Sequence, residues 1–312
     1  MPLQSAPYHH DVAEGPEASA YWVTADDGVR LRFAFWPQEA AKGTVLLFPG
    51  RTEYIEKYGR AAQDFAARGF AMVAIDWRGQ GLADRLVKPD YAGYVVDFAD
   101  YQRDVAAVMT ALRDLDLPQP FYLLGHSMGG CIGLRSLLQD LPVAAAAFSA
   151  PMWGIRISPF LRPAAWALST LATPFGFGTQ LAPGTSATTY VLDQSFQDND
   201  LTKDADMYAY MQRQMRSYPA LSLAGPSLRW LNAALQECLD LRTQTSPGTP
   251  CLTFLGTDEA IVDTQDIHDR MARWPNGTLD VIAKGEHEVM MEVPQTRRHV
   301  FDAAAEFFAS HT

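Results

Sequence analysis

Six short, almost wholly apolar runs punctuate the chain: GTVLLFPG (43–50), FAMVAIDW (70–77), FYLLG (121–125), AAAAFSA (144–150), PCLTFLG (250–256) and LDVIAKG (279–285). A half-buried strand alternates apolar and polar residues, so a run that is apolar at nearly every position reads as a strand covered on both faces. Helical patterns separate these runs: EYIEKYGRAAQDFAARG from Glu53, DFADYQRDVAAVMTALRDL from Asp97 and SMGGCIGLRSLLQDL from Ser127. The chain closes on another, RRHVFDAAAEFFA. The alternation predicts the α/β class, with a mostly parallel central sheet flanked by helices. Ahead of it, YWVTADDGVRLRFAFW (21–36) alternates on both sides of Asp26, Asp27 and Gly28, which predicts a β-hairpin.

The rhythm breaks at Pro151. From there to about Leu241 no short buried strand stands out, and apolar residues recur at helical spacing, as in Met207, Met211, Met215 and in Leu228, Leu231, Leu235, Leu239. The expected organisation is therefore a core with its hairpin over 1–150, a helical cap inserted after the sixth strand over 151–241, and the second part of the core over 242–312. Such an insertion belongs on the carboxyl edge of the sheet, where open α/β sheets bind ligands. The stretch 157–184 carries a single charge, Arg162, while Pro163, Pro174 and several glycines interrupt any membrane-spanning run. It reads either as a cap packed on its own domain or as an apolar channel or lipid-facing lid for an acyl chain, with at most peripheral membrane contact.

Composition removes other classes of function. Lys and Arg number 25 against 36 Asp and Glu, and a net charge of -11 repels nucleic-acid phosphates and anionic lipid surfaces. Cys131, Cys238 and Cys251 are scattered and odd in number, so neither a disulfide framework nor a zinc site is indicated. A reducing, cytoplasmic setting is expected, the amino-terminal stretch having no basic start followed by an apolar run. His9, His10 and Asp11 are read as part of a loose tail rather than as metal ligands. Nothing points to a metal or a cofactor.

Gly125-His126-Ser127-Met128-Gly129 fits G-x-S-x-G at the junction of a buried strand and a helix, the context that gives the pattern meaning. A sharp turn there strains the backbone and excludes side chains at Gly125 and Gly129, leaving the Ser127 hydroxyl above the sheet at a helix amino terminus. A tight turn kept only for packing would show the same glycines. A serine nucleophile also needs a base and an acid to orient that base. His287, in KGEHEVMME after the last apolar run, has the address of the base; His268 and His299 fall in helical patterns, and His126 reads as structural. For the acid, FLGTDEAIVD offers Asp258, Glu259 and Asp263, and Asp258, first after the strand, is preferred. An oxyanion hole is expected from the backbone N–H groups of Met128 and Arg51, with Gly50 allowing close approach. The Arg51 side chain is left open between Glu53 and a substrate phosphate.

With those residues in place, the chain resembles α/β-hydrolases of the monoglyceride lipase and bacterial lysophospholipase group. FPGRTEYIEKYGR, AIDWRGQGLADR, GHSMGG, LGTDEAIVD and GEHEVMME carry the resemblance. It implies an α/β-hydrolase fold, a Ser127, Asp258, His287 triad, and hydrolysis of carboxylic esters on single-acyl lipids, namely monoacylglycerols or lysophospholipids. Three positions depart from the group's pattern: Pro49 stands where histidine is usual, Thr52 where a second glycine is common, and Ala83 where serine is common. Hydrolysis of short esters, amides or carbon-carbon bonds, and a non-catalytic binding module, are the competing readings.

Overall fold

The computed structural model describes residues 3–88 and 90–312. In chain order the elements are β1 (Gln4–Ser5), α1 (His10–Ala13), β2 (Ser19–Thr24), β3 (Arg30–Trp36), β4 (Thr44–Phe48), α2 (Gly59–Ala66), β5 (Ala71–Asp76), α3 (Asp100–Leu112), β6 (Phe121–His126), α4 (Met128–Leu138) and β7 (Ala145–Ser149). Then follow α5 (Arg162–Ala172), α6 (Tyr190–Asp193), α7 (Ala205–Ser217), α8 (Leu228–Thr243), β8 (Cys251–Gly256), α9 (Thr264–Met271), β9 (Gly277–Ile282) and α10 (Pro294–Ala309).

The strands form one sheet in the order β1-β2-β3-β5-β4-β6-β7-β8-β9. From β5 to β9 every neighbouring pair is parallel; β1, β2 and β3 join antiparallel at one edge. The hairpin is the β2–β3 pair, closing on Thr24 opposite Arg30. Each of the six apolar runs overlaps a strand, β9 starting two residues before its run, and the physical reason is visible in how alternate residues divide. Leu46, Phe48, Val73 and Ile75 enter a core with α3 and α4 on one face of the sheet, while Val45, Leu47, Met72 and Ala74 enter a second core with α2 and α10 on the other. A sheet covered on both sides favours apolar residues at both alternating positions, and the edge strand β9, part-exposed, is where Asp280 is carried.

The chain leaves the sheet after β7, builds α5 to α8 without a strand, and returns at β8. Trp230, Ala233, Ala234, Cys238 and Leu241 of α8 pack into the same core as α3 and α4, so this segment rests on the sheet layers rather than standing apart.

The amino-terminal stretch corrects the expectation of a loose tail. β1 pairs with β2, the His9 ring stacks on Tyr218 at 3.6 Å, and the Tyr218 hydroxyl donates to Asp11 at 2.9 Å. The sequence hid this because the partners lie some two hundred residues away; His9 and Asp11 are packing groups.

Candidate active site

Ser127 sits between β6 and α4 with φ 48° and ψ -117°, a strained backbone for a residue with a Cβ. The glycines around it are required by close approach. A Cβ at Gly129 would collide with the Phe48 carbonyl, and one at Gly125 would meet the Gly129 carbonyl at 2.9 Å. The turn thus packs backbone on backbone and lifts the hydroxyl to the carboxyl edge of the sheet.

His287 follows β9 on the same edge. Its Nδ1 lies 2.7 Å from Oε2 of Glu259, and both residues are buried, 4% and 5% exposed. Glu259 is fixed from behind, its Oε1 accepting the N–H groups of Ile261 at 2.5 Å and Val262 at 3.0 Å. Burial pushes this carboxyl up, but the His287 ring and the two backbone donors outweigh burial and hold it below its ordinary range. A carboxylate only accepts, so Nδ1 donates to Glu259, and Nε2 is the ring nitrogen left for a general base to use.

Asp258, the acid preferred from sequence, is not brought to the histidine. It is exposed, its carboxylate paired with Lys203, and its N–H donates to the Gly285 carbonyl at 2.9 Å. That turn directs Asp258 to solvent and Glu259 inward, and the extra methylene of glutamate bridges the distance to the ring. Asp263, the third candidate, caps α9 through the Gln265 N–H.

Ser127 and His287 line one cavity of about 350 Å³. Its walls are largely apolar, with Met152 and Ile155 after β7, Val191 on α6, Met211 and Met215 on α7, and Trp230 and Leu231 on α8. Helices between β7 and β8 therefore supply much of the wall facing the serine.

The loop after β4 is clamped by the segment after β5. Trp77 Nε1 donates to the Pro49 carbonyl at 2.9 Å, and Gln80 Nε2 to the Gly50 carbonyl at 2.8 Å. In a trans peptide the N–H points opposite to the C=O, so the Gln80 bond turns the Arg51 N–H away from Gln80. Among the described residues no protein group accepts the N–H of Arg51 or of Met128, whereas the Gly50 N–H is taken by Glu53. Pro49 keeps its carbonyl for the clamp, and Thr52 adopts the left-handed backbone, φ 68°, that glycine would take at no cost.

Beside the histidine lies a buried charge cluster that sequence reading missed. Lys57 Nζ bridges the carboxylates of Glu53 and Glu288, Tyr58 donates to Glu53, and His126 Nε2 lies 3.3 Å from Glu288 and 3.5 Å from Glu53 without hydrogen-bond alignment. Burial lowers the His126 pKa, but the two carboxylates outweigh it and the net shift is upward. His126 Nδ1 meets the Ser149 carbonyl at 3.1 Å, and its ring packs 4.9 Å from that of His287. Read alone, His126 was structural; it is structural and also lines the cavity. Lys57 and Glu288 gave no signal, and Glu53 only as a partner for Arg51, because in sequence each resembles a solvent-facing charge on a helix or loop. His268 and His299 are exposed on α9 and α10, as their helical patterns suggested.

Residues 39–294 match the family model described as serine aminopeptidase, S33 (Hydrolase_4). The chain belongs to this family. Its curated relatives include lysophospholipase L2 of Escherichia coli strain K12, 30% identical over 304 residues that cover 92% of this chain and 86% of the relative. The probable lysophospholipase L2 of Haemophilus influenzae is 28% identical over 278 residues, 88% and 87% of the two chains. In fold, the protein is similar to a soluble variant of Saccharomyces cerevisiae monoglyceride lipase, with a TM-score of 0.75, 19% identity, and 98% and 99% of the chains covered. This S33-family protein is an ester hydrolase with the α/β-hydrolase fold. No helix of the described residues is long and apolar enough to cross a membrane.

Proposed function

We propose that this S33-family protein hydrolyses the acyl ester of single-acyl lipids, monoacylglycerols or lysophospholipids, through Ser127, His287 and Glu259. Ser127 attacks the ester carbonyl as His287 Nε2 takes its proton, and Glu259 stabilises the imidazolium that forms. The Arg51 and Met128 N–H groups receive the oxyanion. Collapse expels the alcohol, which takes the proton from His287, and leaves an acyl-enzyme. Water activated by the same imidazole then releases the fatty acid. The observation that carries this reading is His287, held from behind by the buried Glu259, in the wall of a largely apolar cavity that Ser127 also lines. Names of the curated relatives, lysophospholipase among them, support the lipid substrate.

We read residues 151–241 as a cap that contacts lipid from outside. Support comes from Phe160 and Phe175, 93% and 72% exposed, with Leu161, Leu168, Leu171 and Phe177 also exposed around α5. The three buried free thiols support a reducing, cytoplasmic setting. The deciding experiment is p-nitrophenyl ester hydrolysis by wild type and Ser127→Ala, combined with fluorophosphonate labelling. The variant loses about three orders of magnitude or more in kcat and does not label; retention of most activity removes Ser127 from its role.

A further inference from the structure

Arg51 is the one residue of the cavity wall whose side chain is charged and has no opposite charge among the described residues. Its Nη1 donates to the Ala224 carbonyl at 2.8 Å and its guanidinium lies 5.6 Å from the Trp230 ring centroid. The remaining four of its five side-chain N–H donors meet no acceptor among the described residues. Glu53, the partner that sequence proximity suggests, is committed to Lys57, Tyr58 and the Gly50 N–H. The fully buried arginines are provided for. Arg32 binds Asp76 and Glu56, Arg78 binds Asp104 and Asp27, and Arg270, which has no carboxylate, donates to Leu241, Gln244 and Ser246. Gly93 makes room for Arg51, since a Cβ there would stand 3.1 Å from Nη1.

A half-buried guanidinium in a largely apolar cavity wall without a counter-ion is poised to take up an anion. Its planar fork suits phosphate, and cation–π contact with Trp230 holds it in place. The rest of the cavity, from Met152 to Met215, suits an acyl chain, so the anion belongs to the other end of the substrate. We propose that the Arg51 side chain binds the phosphodiester of a lysophospholipid head group and so selects such substrates over uncharged monoacylglycerols. With the chain carrying a net charge of -11, a zwitterionic head group fits better than a net anionic one. The proposal rests on the single-acyl-lipid reading above and narrows its substrate.

The test compares wild type, Arg51→Gln and Arg51→Lys on decanoyl-lysophosphatidylcholine and monodecanoylglycerol. Glutamine lowers the ratio of the two kcat/KM values by about tenfold or more, the size expected for a lost hydrogen bond to a charged group, and lysine restores part of it. A ratio that moves less than about twofold, whatever happens to the separate rates, overturns the proposal. A second arm measures inhibition of p-nitrophenyl decanoate hydrolysis by glycerophosphocholine and by decanoate. Loss of glycerophosphocholine inhibition alone in the glutamine variant supports the head-group site; loss of decanoate inhibition alone assigns Arg51 to the product carboxylate and overturns it. Calorimetric binding of glycerophosphocholine to wild type requires neither turnover nor a folded variant, and absence of binding there also overturns it. Failure of wild type to hydrolyse either ester sinks the single-acyl-lipid reading, and calorimetric binding of glycerophosphocholine to wild type but not to Arg51→Gln would still uphold the Arg51 site, its absence from wild type overturning it.

Discussion

At Glu259 two neighbouring acids differ in everything that matters to a histidine. Glu259 is 5% exposed and touches the ring, whereas Asp258 is exposed and held by Lys203. Glu259→Gln keeps an acceptor oxygen but removes the charge that stabilises the imidazolium, and kcat is expected to fall by about two to four orders of magnitude. Asp258→Asn removes a surface ion pair and is expected to change kcat less than about twofold, because such pairs are worth little. Steady-state rates on p-nitrophenyl butyrate check both, and the opposite ranking would restore Asp258. Gln80 makes no contact with a reacting group, but its bond to the Gly50 carbonyl orients the Arg51 N–H. Gln80→Leu is expected to lower kcat by about ten- to a hundredfold with KM little changed, since the oxyanion forms only in the transition state. A matching rise in KM would place Gln80 in substrate binding instead.

The segment leading from β4 into α2 carries a buried lysine because two carboxylates require it. Removing Lys57 leaves Glu53 and Glu288 facing each other without their cation. Lys57→Met is therefore expected to destabilise the protein by about 3–5 kcal/mol, measured by urea unfolding. A loss below about 1 kcal/mol would mean that one carboxyl is protonated in the native state. Around α5 the exposed phenylalanines do no work inside the fold. Replacing Phe160 and Phe175 together by serine is expected to leave hydrolysis of a soluble butyryl ester intact while lowering activity on micellar or vesicular lipid several-fold. Equal rates on both substrates would remove α5 from lipid contact.

For the molecule as a whole, the buried charges fix how stability follows pH. Burial raises the Glu288 carboxyl, but Lys57 and His126 outweigh that and hold it well below its ordinary range; Glu259 is lowered as well. Depressed carboxyls stabilise above their unfolded pKa of about 4.3, and the contribution disappears as pH falls through the native values. His126 has the opposite sign. Its pKa is raised, so its stabilisation is complete below about 6.5 and is lost as pH rises through the native value. Thermal unfolding from pH 2 to 9 is expected to show both limbs, with His126→Asn flattening the alkaline one; an unchanged alkaline limb would mean that His126 is neutral throughout. What the sequence determined alone was whatever local periodicity and short motifs encode. The six apolar runs hold the six parallel strands because both sheet faces are covered, and G-x-S-x-G marks a turn whose glycines are excluded from having side chains by backbone contact. The contact between Glu259 and His287, the Glu53–Lys57–Glu288–His126 cluster, the Arg51 side chain with no counter-ion among the described residues and the docked amino terminus were decided only by tertiary structure. Each depends on side chains distant in sequence or on which way a turn sends one of two adjacent acids, and a hydrogen bond that closes such a gap leaves no period to read.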